Sequence, residues 1–237
     1  MLLEVIAITT EDALIASAHG ANRIELITGF MEGGLTPSIG LIEQVAQQVS
    51  IPVQVMVRPH SRSFVYSKSD VATMVQDIKA IRQYGRNGIG IVVGVLTEAG
   101  LIDTYTLEHI LDASQDLDVT FHRAFDEIAD QEQAYEQLSN YSQIKRVLTS
   151  GGKPSVLQAT DRIKRLVEMS KTSHVAILAG GGLHTNALAE FIEETGVKEI
   201  HLGTAVRGPM GANDLVESDK MHTVRAILDQ MIGKKIK

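Results

Sequence analysis

Cysteine is absent from all 237 residues. The chain can therefore form no disulfide, no thiolate metal site and no cysteine nucleophile. It also lacks a run of eighteen uninterrupted apolar residues, so no membrane span is expected. No block of consecutive basic residues occurs apart from the short tail Lys234, Lys235 and Lys237. With a net charge of −7 and a pI near 5.6, this argues against a nucleic-acid or acidic-membrane partner and favours small molecules. The start Met1-Leu2-Leu3-Glu4 carries neither a charged leader nor a long apolar stretch, and a cytoplasmic protein is expected. Linkers, low-complexity segments and composition shifts are missing too, so residues 1–237 are read as a single domain.

What is present is a repeated alternation. Eight short apolar runs are read as strands, at Leu2–Thr9, Arg23–Thr28, Pro52–Pro59, Ile89–Thr97, Val119–Phe125, Ile144–Ser150, His174–Gly180 and Glu199–Val206. Between and after them lie segments with apolar residues at helical spacing: Glu11–His19, Ser38–Val49, Asp70–Tyr84, Thr106–Ser114, Gln131–Asn140, Ser155–Ser170, Asn186–Thr195 and Asp219–Met231. Thr10 with Glu11 and Asp12, Ser38, Ser69 with Asp70, and Asp130 mark helix starts, while Gly20, Gly85 and Gly196 sit where C-caps belong. Eight strand–helix units in under 250 residues predict an α/β fold closed as a TIM (β/α)8 barrel. An open doubly wound sheet shares the alternation, but no glycine fingerprint follows the first strand, which makes dinucleotide binding there improbable.

Strand parity then sorts the polar groups. Alternate residues of a barrel strand face the lumen, and function collects at the strand carboxyl ends. The mixed faces hold Glu4, Glu25, Arg58, His122, Arg146 and His201, whereas the complementary faces are Val, Leu, Ile and Phe. Glu4 and Arg146 are read as a buried pair that fixes register. Glu25, Arg58 and His122 lie nearer the functional rim. The segment Asp118–Asp126 adds Arg123 and Asp126 beside His122; desolvating three such groups costs several kcal/mol unless they pair, so they form a site or an ion-pair cluster that closes the strand. The catalytic candidates are thus Glu25, Arg58, His122, Arg123 and Asp126.

Glycine marks a second feature at Ser150-Gly151-Gly152, Gly180-Gly181-Gly182 and Gly203 with Arg207-Gly208, after the last three strands. Such loops are either tight turns or an anion cradle in which backbone N–H groups approach a phosphate. On the second reading Ser150, Gly151, Gly180, Gly181, Gly182 and Arg207 would bind the anion.

The ordered motifs Glu4-Val5, Arg23-Ile24-Glu25-Leu26, Gly33-Gly34-Leu35-Thr36-Pro37-Ser38, Arg58-Pro59, Phe64-Val65-Tyr66-Ser67, Gly94-Val95-Leu96-Thr97, Phe121-His122-Arg123-Ala124-Phe125-Asp126, Leu148-Thr149-Ser150-Gly151-Gly152, Ala179-Gly180-Gly181-Gly182 and Ile200-His201 resemble those of the CutC-type copper homeostasis proteins. The resemblance runs from the first strand to the last. It implies a cytoplasmic TIM barrel, a homodimer, and Cu(I) handling or tolerance, with Cu(I) as the only cofactor or cargo it brings into view. Members of that family usually carry cysteine where this chain has Ile6 and Ile27. Soft Cu(I) prefers sulfur, which leaves Met56, His122 and His201 as weak metal candidates.

Two functional readings follow. One is copper handling, taken from the resemblance. The other is a barrel enzyme of isomerase, lyase or aldolase-like type, in which Arg58 and Arg123 clamp a small phosphorylated or carboxylated metabolite, and His122 with Asp126 or Glu25 exchanges a proton.

Overall fold

The computed structural model of the chain describes residues 1–234, and for residues 85–87 and 232–234 the backbone alone; the basic tail lies outside the described side chains. Eight parallel strands pair in sequence order and close, β8 on β1: β1 (Leu2–Ala7), β2 (Arg23–Leu26), β3 (Val53–Met56), β4 (Ile89–Val93), β5 (Val119–Phe121), β6 (Ile144–Thr149), β7 (Ala176–Gly180) and β8 (Glu199–Leu202). The helices are α1 (Thr10–Ala18), α2 (Ile39–Gln48), α3 (Lys68–Ile81), α4 (Thr104–Ser114), α5 (Gln131–Leu138), α6 (Thr160–Ser170), α7 (Leu188–Thr195) and α8 (Ser218–Lys234).

The outward strand faces are β-branched or aromatic, for example Val5, Ile24, Val55, Ile91, Phe121 and Val147, all buried. They meet helix faces built at three- and four-residue spacing, such as Leu107, Ile110 and Leu111 of α4. Each such side chain removed from water contributes about 1.5–3 kcal/mol, which fixes the outer layer and leaves the lumen to the other parity. Asp103 caps α4 by accepting from Thr106 N–H at 3.1 Å, and Asp130 does the same for α5.

Several local expectations are corrected. The cap of α1 is Thr9, whose hydroxyl accepts from Asp12 N–H, rather than Thr10. Ser67 and not Ser69 caps α3, in a reciprocal capping box with Asp70. Gly85 does not cap α3, which ends at Ile81 and passes into a 3₁₀ turn over Arg82–Asn87. A 3₁₀ turn at Val156–Gln158 precedes α6. The fifth strand stops at Phe121; His122 caps a 3₁₀ turn over Arg123–Glu127, so Arg123 and Asp126 meet through the turn's three-residue spacing. Glu4 does not pair with Arg146. Its partner is Arg23, which stands beside it in register on β2, while Arg146 donates to Thr120 Oγ1 at 2.9 Å and lies 3.7 Å from Asp118 and 3.9 Å from Glu199.

Candidate functional site

A cavity of about 300 Å³ opens at the carboxyl ends of the strands, at the small end of the ~300–1,000 Å³ range of ligand pockets. Glu25, Arg58 and His122 all line it, from β2, the loop after β3 and the end of β5. Its apolar wall includes Ile6, Ile27, Met56 and Leu148, and Phe30 and Phe64 lean in from the loops after β2 and β3. Phe30 was not anticipated from the sequence; the only signal was an aromatic residue set among the loop glycines Gly29, Gly33 and Gly34.

Below this wall the lumen is ionic. Glu4 is fully buried. It takes Arg23 on one oxygen and the His201 Nδ1–H, at 2.8 Å, on the other. Burial opposes its ionisation, but the Arg23 charge and the His201 bond outweigh burial and hold the carboxyl down at about 2. Arg23 also reaches Glu199 at 2.6 Å. His201 Nε2 then lies 3.7 Å from Glu25 Oε2. Burial pushes Glu25 up, and the neighbouring Glu4 adds to this against the opposing pull of His201, so its carboxyl sits at about 7. For His201 burial acts downward, but the Glu25 and Glu4 carboxylates prevail and the imidazole is raised.

His122 is the opposite case. Burial lowers it to about 3, helped by the charges of Arg58 and Arg123, so the ring is neutral. Its Nδ1 accepts from Ala124 N–H at 3.1 Å. That bond assigns the ring proton to Nε2, which is buried and has no hydrogen-bond partner. Gly94 makes room for the ring, since a Cβ there would stand 2.4 Å from it. Arg58 is buried, with its guanidinium stacked on Phe64 at 4.7 Å. Nη1 donates to the carbonyls of Glu32 and Gly34 at 2.8 and 3.1 Å, and Nη2 to that of Ser61 at 3.4 Å. These bonds tie the loops after β2 and β3 together without neutralising the charge.

Arg123 also lines the cavity, but Asp126 lies behind it. The Asp126 carboxylate accepts from Arg123 Nε at 2.8 Å, Thr149 Oγ1 at 2.5 Å, and the backbone N–H groups of Ser150 and Gly152 at 3.0 and 3.1 Å. Gly151 N–H donates to Thr149 Oγ1 at 2.8 Å. The loop after β6 thus wraps an internal carboxylate. Gly181 and Gly182, both at positive φ, do line the cavity, whereas Gly180 sits beneath His201, whose side chain would stand 2.9 Å from a Cβ placed there. Arg207 is turned away and fully buried; it pairs with Asp12 at 2.9 Å and donates to the carbonyls of Asp214 and Ile6 at 2.7 and 2.9 Å.

For a metal, Glu4, Glu25 and His201 bring one ligand atom each within 4.8 Å of one another. Two carboxylates and an imidazole are hard or borderline donors, unlike the sulfur that Cu(I) prefers. Glu4 is moreover already occupied by Arg23 and His201. Met56 supplies the one sulfur among the cavity-lining residues.

Fold and site together define a (β/α)8-barrel protein with a small, mainly apolar cavity at the carboxyl ends of its strands, into which Glu25, Arg58, His122, Arg123 and His201 bring the ionisable groups. The chain belongs to the CutC family, whose model matches residues 1–206. It is 41% identical over 200 residues to the human copper homeostasis protein cutC homolog, covering 84% of this chain and 72% of that one. A CutC family protein of Vibrio campbellii is 38% identical over 221 residues, covering 92% and 88%. A solved CutC structure from Streptococcus agalactiae superposes with a TM-score of 0.79 at 32% identity, covering 85% of this chain and 97% of that one. Among the described residues, no helix is long and apolar enough to cross a membrane.

Proposed function

We propose that this chain serves copper homeostasis, the role in its relatives' names, by binding a small anionic metabolite in the barrel cavity rather than by holding Cu(I) on a dedicated site. The reading includes residence in the cytoplasm and assembly as a homodimer, both of which rest on the family resemblance. One observation carries it: the buried Nε2–H of neutral His122 has no acceptor, beside the buried Arg58 guanidinium, whose bonds go to backbone carbonyls. A donor and a charge left open in a low-dielectric pocket favour an anionic oxygen from a ligand. Arg123 and the backbone at Gly181 and Gly182 extend the anion rim. Asp126, Ser150, Gly151, Gly180 and Arg207 shape its walls from behind.

Copper fits this donor set poorly. The nitrogen of His122 that is free of hydrogen bonds carries a proton, His201 Nδ1 donates to Glu4, and Ile6 and Ile27 offer no lone pair. Titrating purified protein with Cu(I) against a strong chelator tests the reading. Weak binding, little changed in Met56→Leu, is the expected result. Stoichiometric binding that survives the chelator and is lost in Met56→Leu would put the metal first.

A further inference from the structure

The lumen holds more ionisable machinery than barrel register requires. Glu4 with Arg23 already locks β1 to β2 side by side. Glu25 adds a second buried carboxyl that lines the cavity, and its Oε1 is buried with no hydrogen-bond partner. Leaving such an atom unpaired costs about 1–3 kcal/mol, and a glutamine or leucine would fill the same space. The groups behind it are ordered: His201 Nε2 stands 3.7 Å from Glu25 Oε2, and His201 Nδ1 is 2.8 Å from Glu4 Oε1. Gly180 leaves the imidazole the room to lie there.

From this geometry we infer that Glu25 is the proton-exchanging group of the cavity, that His201 and Glu4 are the pair that positions it and balances its charge, and that the ligand is a small oxo acid or oxo phosphate ester with a removable proton next to its carbonyl. The inference rests on the anion-binding reading above and adds a reaction to it. The Glu25 carboxylate takes a proton from the carbon beside the carbonyl; that C–H electron pair becomes the carbon–carbon double bond, and the carbonyl π pair moves to oxygen as an enolate. His122 Nε2–H is the donor for that oxygen, and the ligand's carboxylate or phosphate lies against Arg58 and Arg123. Protonation of the enolate by Glu25, at carbon or at oxygen, returns the carboxylate, and no oxidant or reductant is consumed. At neutral pH Glu25, at about 7, populates both forms, as a group that gives and takes protons requires. The charged or titratable groups facing it are Glu4 from β1, Arg23 from β2 and His201 from β8, with Arg58 and His122 across the cavity.

Two measurements on the full chain test this separately from ligand binding. The first follows the ring nitrogens of His201 by NMR in ¹⁵N-histidine-labelled protein as pH is varied. A proton on Nδ1 is expected throughout, with a midpoint that falls by one pH unit or more in Glu25→Gln and stays in place in His122→Asn. A His201 titration indifferent to Glu25→Gln would overturn the relay, whether or not any ligand binds. The second is exchange of the methyl protons of pyruvate and the carbon-bound protons of dihydroxyacetone phosphate in D₂O, followed by proton NMR. The protein should accelerate exchange of at least one probe, Glu25→Gln should reduce this about 100-fold or more, and His201→Gln should reduce it while leaving probe line-broadening unchanged. Broadening without exchange would overturn the relay and leave the anion site standing. Absence of broadening by both probes would count against the anion site, and the His201 titration then decides the relay alone.

Discussion

Asp126 holds Ser150 through both backbone and side chain: its carboxylate accepts the Ser150 N–H at 3.0 and 3.1 Å and the Ser150 hydroxyl at 2.9 Å. An anion built into the protein thus occupies part of the cradle that the glycine loop offers, and it orients Arg123 from behind. Asp126→Asn keeps the size but replaces one acceptor with a donor facing N–H groups. A loss of about 2–3 kcal/mol is expected for charge-assisted bonds, seen as a fall in Tm of roughly 5–10 °C. A change under about 1 °C would show that the loop holds its shape without Asp126.

Stability should depend on pH through three of the lumen groups. The raised carboxyl of Glu25, at about 7, favours the folded state most below its unfolded value of 4.5, and that contribution is lost as pH rises through 7. His122, lowered to about 3, contributes fully above 6.5 and loses this as pH falls toward 3. Glu4, at about 2, is likewise lost on the acid side, below 4.5. Denaturation of Glu25→Gln should therefore show stability relative to the parent rising by roughly 1–3 kcal/mol between pH 4.5 and 8. His122→Asn should show a flatter profile between pH 6.5 and 3. Parallel curves for parent and variants would contradict both assignments.

Ile6 and Ile27 pack in one apolar cluster with Met56 at the cavity wall. If the missing sulfur is what separates this chain from tight copper binding, Ile6→Cys combined with Ile27→Cys should restore it. The double variant should compete with a Cu(I) chelator at least 100-fold better than the parent. Equal affinity in the two proteins would mean that the sulfur count at these positions does not govern copper.

The barrel is legible because period-two and period-three-to-four patterns alternate eight times, and strand parity alone puts Glu25, Arg58 and His122 on the lumen side, where all three line the cavity. What parity does not carry is height along the barrel axis. Glu4 and Arg146 share the lumen, yet register sets Glu4 beside Arg23. Nor does alternation reveal where an apolar strand yields to a turn: Arg123, Ala124 and Phe125 continue the pattern of β5, but the chain has already entered a 3₁₀ turn capped by His122. The burial of Arg207 depends on Asp12, 195 positions away, and Asp126 reaches the loop after β6 across 24 residues or more. Contacts of that range leave no local pattern, so the glycine loops resemble an open anion cradle in the sequence while part of their N–H set is already bound.

The central claim, that the cavity takes a small anionic ligand on His122 and Arg58, is tested most directly by thermal shift with a panel of phosphorylated and carboxylated metabolites on the parent and on His122→Asn. Asparagine can still accept from Ala124 N–H as a helix cap, so the variant removes the Nε2–H donor and leaves the fold in place. At least one metabolite is expected to raise the Tm of the parent, with the shift lost in the variant, since a ligand stabilises only the state it binds. A panel with no effect on the parent, or a shift that persists in His122→Asn, would contradict the account.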